Sequence, residues 1–446
     1  MSRPLRIAFF TGTFPVISET FILRQITGLL DLGHEVHIYA DAQSPSESVH
    51  PEFEKYRLGE RTTYMDMPPE TAPWEMPIWP ITGRTWPPGS TTSVHNFTRL
   101  ARALPKLLRC LLTSPALTCQ VLKPSEYRYQ AASLSALYRL AKLGLERRNY
   151  DVLHAHFGPV GNSFRFAKTL WHAPLVVSFH GYDFCTAPRQ QGRDMYEKLF
   201  QTADVVTVNS EFTHGQVAKL GCPEVKLHRL PVGLNLDDFS FRERILKTGE
   251  PLRILTVGRL VEIKGHEFAV RAVGKLRERH PNVHYDIVGD GALRSHLEKL
   301  IAQLALQQIV TLHGALVSTE IASLMANAHA FVLASTSVEG DQEGQGLVLQ
   351  EAQACGLPVV ATRHGAFAEG IINNKSGFLV PERDVEALVE RLCFLIEHPE
   401  IWPAMGRDGR AFVEAHYDIQ QLNQQLVAIY TNAIKRSPER IPRGEN

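Results

Sequence analysis

Two glutamates eight positions apart, Glu343 and Glu351, frame a glycine-bearing stretch that spans 340–362 as GDQEGQGLVLQEAQACGLPVVAT. Carboxylates accept hydrogen bonds from sugar and ribose hydroxyls, and Gly344 and Gly346 have no side chain to keep an anion away from the backbone. Phosphate oxygens can therefore approach the N–H groups of Gln345, Gly346 and Leu347. If a helix starts there, its dipole favours the negative charge as well. Glu343 would stand at the mouth of the loop within reach of a sugar, and Glu351 inside the helix within reach of a ribose. The chemistry that this spacing suits is the holding of a nucleoside diphosphate.

Its positive counterparts lie upstream in VGRLVEIKG, 257–265. Arg259 offers a planar fork and Lys264 a compact charge, a pair suited to a pyrophosphate. Three histidines stand near glycines, His154 and His156 in HAHFG and His180 in HGYD. H-x-H on a strand places two imidazoles on one face, which is one way to begin a metal site, but no acidic or thiol ligand follows at useful spacing. No DxD motif sits at a strand end, so the pattern calls for neither a metal nor a cofactor.

The pattern EGxGLxxxEAxAxGxPVVAT, together with GRLxxxKG, resembles the signature of the family-4 retaining glycosyltransferases of GT-B fold, also called group 1 glycosyl transferases. HFG and HGYD resemble landmarks of the same family, and LPVGLN at 230–235 resembles its NGVD-type turn. The resemblance implies transfer of a sugar from a nucleoside diphosphate sugar to an acceptor hydroxyl with retention at the anomeric carbon. It gives His180 and Glu343 catalytic roles, and it gives Arg259 and Lys264 the task of neutralising the leaving diphosphate. Leu316, after the strand 309–314, corresponds to base-contacting backbone. The family usually has a glycine pair after the first strand. Here Gly12 alone stands, followed by TFPVISETFI, a version resembling the colanic acid and exopolysaccharide subgroup. That subgroup implies a glycan or lipid-linked glycan as acceptor. The alternatives within reach of the fold are a nucleotide-sugar epimerase and a non-catalytic nucleotide-sugar-binding protein.

These residues need two scaffolds. At 446 residues the chain exceeds one ordinary core and fits two α/β domains of about 200 residues each. The expected architecture is two Rossmann-like domains facing each other across a cleft. They are an N-terminal acceptor domain over 1–240, with an insertion at 42–125, and a C-terminal nucleotide-sugar domain over 251–415. A helix over 416–435 returns to the first domain. The runs 5–10, 150–156, 175–179 and 204–208 read as strands of the first domain, with a turn at 11–15 and a helix from Glu19. GxGxxG does not follow the first strand, which disfavours a dinucleotide, and the GxG at 289–291 is too short to decide anything. Residues 65–90, dense in Pro and Trp, read as a surface insertion.

Lys plus Arg equals Asp plus Glu at 47 each, so no global basic field exists for a nucleic acid. The six cysteines form no CxxC pair and read as reduced thiols of a cytoplasmic protein. No run approaches the ~20 apolar residues of a spanning helix. Residues 97–112 repeat Phe97, Leu100, Ala101, Leu104, Leu107, Leu108 and Leu111 at helical spacing with Arg and Lys elsewhere on the wheel. Such a helix suits either peripheral contact with an anionic membrane or docking on the N-domain, with Pro105 expected to interrupt it.

Overall fold

In the computed structural model the chain divides into two compact units, the first Met1–Val208, His214–Leu230 and Asn423–Asn446, the second Asn209–Thr213 and Pro231–Leu422. The structure describes residues 3–16, 19–44, 50–65, 67, 93–146, 148–247 and 249–437, with the backbone alone over 93–99. Most of the Pro/Trp-rich segment therefore lies outside the described residues.

The first unit is built on seven parallel strands: β1 (Arg6–Phe14), β2 (Glu35–Gln43), β3 (Thr62–Tyr64), β4 (Val152–His156), β5 (Leu175–Phe179), β6 (Val205–Val208) and β7 (Leu227–Arg229). Their spatial order is β3-β2-β1-β4-β5-β6-β7. The second unit holds six: β8 (Leu252–Val257), β9 (Val283–Val288), β10 (Val310–Gly314), β11 (Ala330–Leu333), β12 (Val359–Thr362) and β13 (Gly377–Val380). These run β10-β9-β8-β11-β12-β13, all parallel. Strands such as Val-Val-Ala-Thr and Leu-Val-Val-Ser-Phe are apolar almost throughout because helices cover both faces of a parallel sheet. In each unit the strand order reverses once, between β1 and β4 and between β8 and β11. A crevice opens outside the carboxyl ends of the strands at such a point, and ligands of open α/β sheets bind there.

Three local expectations change. The turn placed at 11–15 is not a turn. β1 continues through Phe14 because β2 is equally long, and Thr13 and Phe14 pair with Ala42 and Gln43. Gly12 is thus a buried strand residue rather than part of a glycine loop. Pro105, expected to break its helix, lies inside a continuous helix Ser93–Thr113. That helix also turns the other way from the docking expectation. Ala103 and Cys110 are buried, and Arg109 donates to the carbonyl of Ala141, whereas Leu100, Leu104, Leu108, Leu111 and Leu112 face solvent. Among the described residues no helix is long and apolar enough to cross a membrane.

The last helix, Ile419–Arg436, supplies the first unit with Leu426, Tyr430 and Ala433 as core residues. Tyr430 Oη meets His154 Nδ1 at 2.5 Å, His154 Nε2 meets Ser178 Oγ at 2.7 Å, and Ser178 Oγ meets Thr207 Oγ1 at 2.6 Å. Every member is buried, so each depends on the next for a partner. Replacing Tyr430 with Phe leaves His154 Nδ1 without one. The expected loss is about 1–3 kcal/mol in urea unfolding, and an unchanged midpoint would mean that the helix is held by apolar packing alone.

Candidate functional site

The second unit places most of the sequence-predicted residues at its switch point. Gly258 and Arg259 follow β8 directly, and Arg259 is exposed. A short 3-10 turn, Glu262–Lys264, then brings Lys264 back so that its Nζ stands 2.7 Å from Glu343 Oε1 in the loop after β11. Gly265 makes this return possible. Its φ is +61°, and a Cβ there would sit 1.8 Å from the carbonyl of Ala334. The GxG at 289–291 has the same kind of role, since a Cβ on Gly289 or Gly291 would strike the carbonyl of Gly258 or Leu260 at 2.0 and 2.6 Å. That fragment packs the turn bearing Arg259.

The loop between β11 and the helix Leu347–Ala354 is pinned along its length. Ser210 Oγ donates to the carbonyl of Gly344 at 2.7 Å. The Gln345 amide pairs with Val232 through both the N–H and the C=O, each at 2.8 Å, as a strand neighbour would. Gly346 precedes the helix with φ +76°, and a Cβ there would meet the Phe367 ring at 2.4 Å. The Gln345 side chain is thus committed to holding the loop. The first N–H groups of the helix, from Leu347 on, have no acceptor within the helix itself. Glu351 lies on the same helix, half-buried, and Leu316 after β10 packs at the edge of the core.

Electrostatics agree with this geometry. Burial alone would push the Glu343 carboxyl up. Lys264, through its charge and its hydrogen bond, with Arg259 adding to it, outweighs that and holds Glu343 below the usual glutamate range. The result is a carboxylate and an ammonium group facing one another beside an exposed guanidinium.

The other two predicted residues, Gly12 and His180, belong to the first unit. His180 begins the short helix Gly181–Phe184, and its N–H donates to Asp183 Oδ2 at 2.6 Å. Its ring stacks on His156 at 5.6 Å between centroids, with Nε2 3.3 Å from His156 Nδ1, and Phe21 and Phe157 flank it at 4.8 Å. Burial brings His180 and His154 down to about 3, so both rings are neutral. Both ring nitrogens of His154 are already engaged, which leaves it a structural residue rather than a ligand.

A family model described as glycosyl transferases group 1 matches residues 237–412, and one described as glycosyl transferase 4-like domain matches 18–233. The colanic acid biosynthesis glycosyltransferase WcaL of Salmonella typhimurium is 30% identical over 431 residues, 95% of this chain and 99% of that protein. The chain belongs to the group 1 glycosyltransferases. The amylovoran biosynthesis glycosyltransferase AmsK of Erwinia amylovora is 31% identical, again over 95% of this chain and 99% of its own. Among solved structures, Anabaena HepE in complex with UDP and glucose aligns with a TM-score of 0.67 at 17% identity, covering 96% of this chain and 100% of that one. The two parallel sheets described above are therefore those of a GT-B glycosyltransferase.

Two buried groups of this glycosyltransferase were not singled out from the sequence. His364 lies behind Glu343, and its signal was only a histidine just past the VVAT strand. Glu19 precedes the helix Thr20–Asp31 and is 6% exposed, with Oε1 unpaired among the described residues. Burial, with the charge of Asp183 second, pushes its carboxyl up to about 8. Asp183 itself accepts from the N–H groups of His180 and Gly158 at 2.6 and 3.1 Å, which work against the burial that pushes its carboxyl up as well. A carboxyl whose folded value is raised contributes fully below the unfolded value near 4.5, and that contribution is lost as pH rises through about 8. Glu19→Gln should therefore gain stability relative to wild type between pH 5 and pH 8. Urea unfolding across that range checks it, and a difference that stays flat would mean that Glu19 titrates like an exposed glutamate.

Proposed function

We propose that this glycosyltransferase moves a sugar from a nucleoside diphosphate sugar to a hydroxyl of a glycan or lipid-linked glycan, with retention, in exopolysaccharide assembly. The observation that carries the reading is the meeting of Lys264, Arg259, Glu343 and a glycine-led helix start at the β8/β11 switch point. In the transfer the bond from the anomeric carbon to the diphosphate breaks with its electron pair on the phosphate oxygen. A bond to the acceptor oxygen forms on the same face, and the acceptor's proton passes to the departing phosphate. Charge therefore builds on the diphosphate, and Arg259, Lys264 and the N–H groups of Gln345, Gly346 and Leu347 are the groups assigned to stabilise it. Glu343 holds sugar hydroxyls and faces the positive charge that develops on the sugar. Glu351 holds the ribose, Leu316 borders the base, and His180 orients the sugar as a neutral hydrogen-bonding ring. The exopolysaccharide context rests on the names of WcaL and AmsK.

A lipid-linked acceptor would require access to a membrane surface on the cytoplasmic side. The five leucines exposed along the helix Ser93–Thr113 form a ridge suited to an interface, and residues 93–125 carry five Lys and Arg with no Asp or Glu. Each basic residue near an anionic surface contributes about 1 kcal/mol.

Two measurements test this reading. A thermal-shift series with UDP, GDP, ADP and their sugars should show one nucleotide raising the wild-type Tm, with the shift lost in Lys264→Ala and Glu351→Ala. A ligand at one hundred times its Kd stabilises by about 2.7 kcal/mol, so the absence of any shift would sink the donor assignment. Flotation with phosphatidylglycerol vesicles at low salt should retain the wild type and release a Leu104→Ser/Leu108→Ser variant. Equal retention of both removes the helix from the proposal.

A further inference from the structure

One turn grips the backbone of Glu343 from both sides. The Glu343 N–H donates to His364 Nε2 at 3.0 Å, and the Glu343 carbonyl accepts from Ala366 N at 3.2 Å. Between them Gly365 has φ +48°, and a Cβ on it would lie 2.2 Å from that carbonyl. The His364 side chain is fully buried, and its Nδ1 stands 2.7 Å from Glu382 Oε1. These partners decide the tautomer. A nitrogen that accepts from an N–H carries no proton, so Nε2 is bare and Nδ1–H donates to Glu382. Glu382 is fixed in turn by Ser337, whose N–H and Oγ donate to it at 2.8 and 3.1 Å, while Arg383 donates to the Ser337 carbonyl at 2.8 Å. Ser337 lies in the same β11 loop as Glu343. The chain Glu382–His364–Glu343–Lys264 thus runs from the turn after β13 to the turn after β8.

We propose that His364 is a positioning residue for sugar transfer: backed by Glu382, its neutral ring sets the backbone of Glu343 and thereby aims the carboxylate at Lys264 and at the donor. The inference rests on the donor role given to Glu343 above. Only the neutral ring can do this, because a protonated ring would point an N–H at the N–H of Glu343. Glu382 and Ser337 lock the ring in that tautomer from behind, and the Glu343 carboxylate in front faces Lys264. Loss of the ring should therefore show at the Glu343 amide and in turnover, which a role in packing alone would not do.

The test compares wild type, His364→Phe and Glu382→Gln in two assays. Amide hydrogen exchange at Glu343 needs no substrate. The amide should be protected in wild type at pH 7.5, and His364→Phe should speed its exchange about tenfold, the order of effect of one buried N–H losing its acceptor. Unchanged exchange in that variant overturns the proposal. The second assay follows release of nucleoside diphosphate from the donor sugar. His364→Phe should lower kcat more than it raises KM for the donor, and Glu382→Gln, which keeps an oxygen for Nδ1–H, should fall between it and wild type. A kcat in His364→Phe equal to that of wild type also overturns the proposal. If wild type releases no diphosphate from any donor, the transferase reading fails on its own, and the exchange result still decides whether His364 holds Glu343.

Discussion

The second unit is arranged around a carboxylate and an ammonium group 2.7 Å apart, Glu343 and Lys264, brought together from two loops that are 79 residues apart in the chain. Taking both charges part-way out of water is costly, and the geometry that offsets the cost must be held firmly. Here it is held by backbone rather than by the pair itself. The Lys264 turn is pressed onto β11 through Gly265, and the Glu343 loop is clamped by His364, Ala366 and the Ser210 bond to Gly344. Both partners therefore wait in fixed positions, and a diphosphate entering beside Lys264 would meet a preorganised charge instead of having to assemble one.

The glycines of this unit divide into two kinds of work. Gly344 has only the side-chain ends of Asn209 and Thr213 at 3.2–3.3 Å from where a Cβ would stand, and Gly346 is packed against the Phe367 ring. Gly265, Gly289, Gly291 and Gly365 let one turn lie directly on another, at separations where any Cβ would collide with a carbonyl. A sequence motif that mixes the two kinds invites the reading that every glycine faces the ligand. Packing distances separate them.

The first unit answers a different constraint. Its sheet carries polar residues through the core, with His154, Ser178, Thr207 and Tyr430 joined in one buried chain of hydrogen bonds. In the same unit, burial, with the charge of Asp183 second, pushes the Glu19 carboxyl up to about 8. The neutral His180 ring and the neutral Glu19 carboxyl are two results of the same burial.

The apolar runs at 330–334 and 357–361, the glycine loop between them and the E-x7-E spacing were legible in order, because local hydrophobic runs and turn residues carry that information in the chain itself. So were the two-unit α/β organisation, from length, and the family, from motifs that stay contiguous in sequence. What the chain does not carry locally is partnership across long separations. Nothing near His364 announces that its ring would lie between Glu343 and Glu382, and nothing near Gly12 shows that β2 is long enough to keep it in a strand. The helix Ser93–Thr113 shows the same limit, since periodicity gives an apolar face but not the direction in which that face turns. Residue types and spacing determined the kind of site. Tertiary packing decided which residues hold it, because hydrogen-bond partners and close contacts are set by which strands and turns become neighbours.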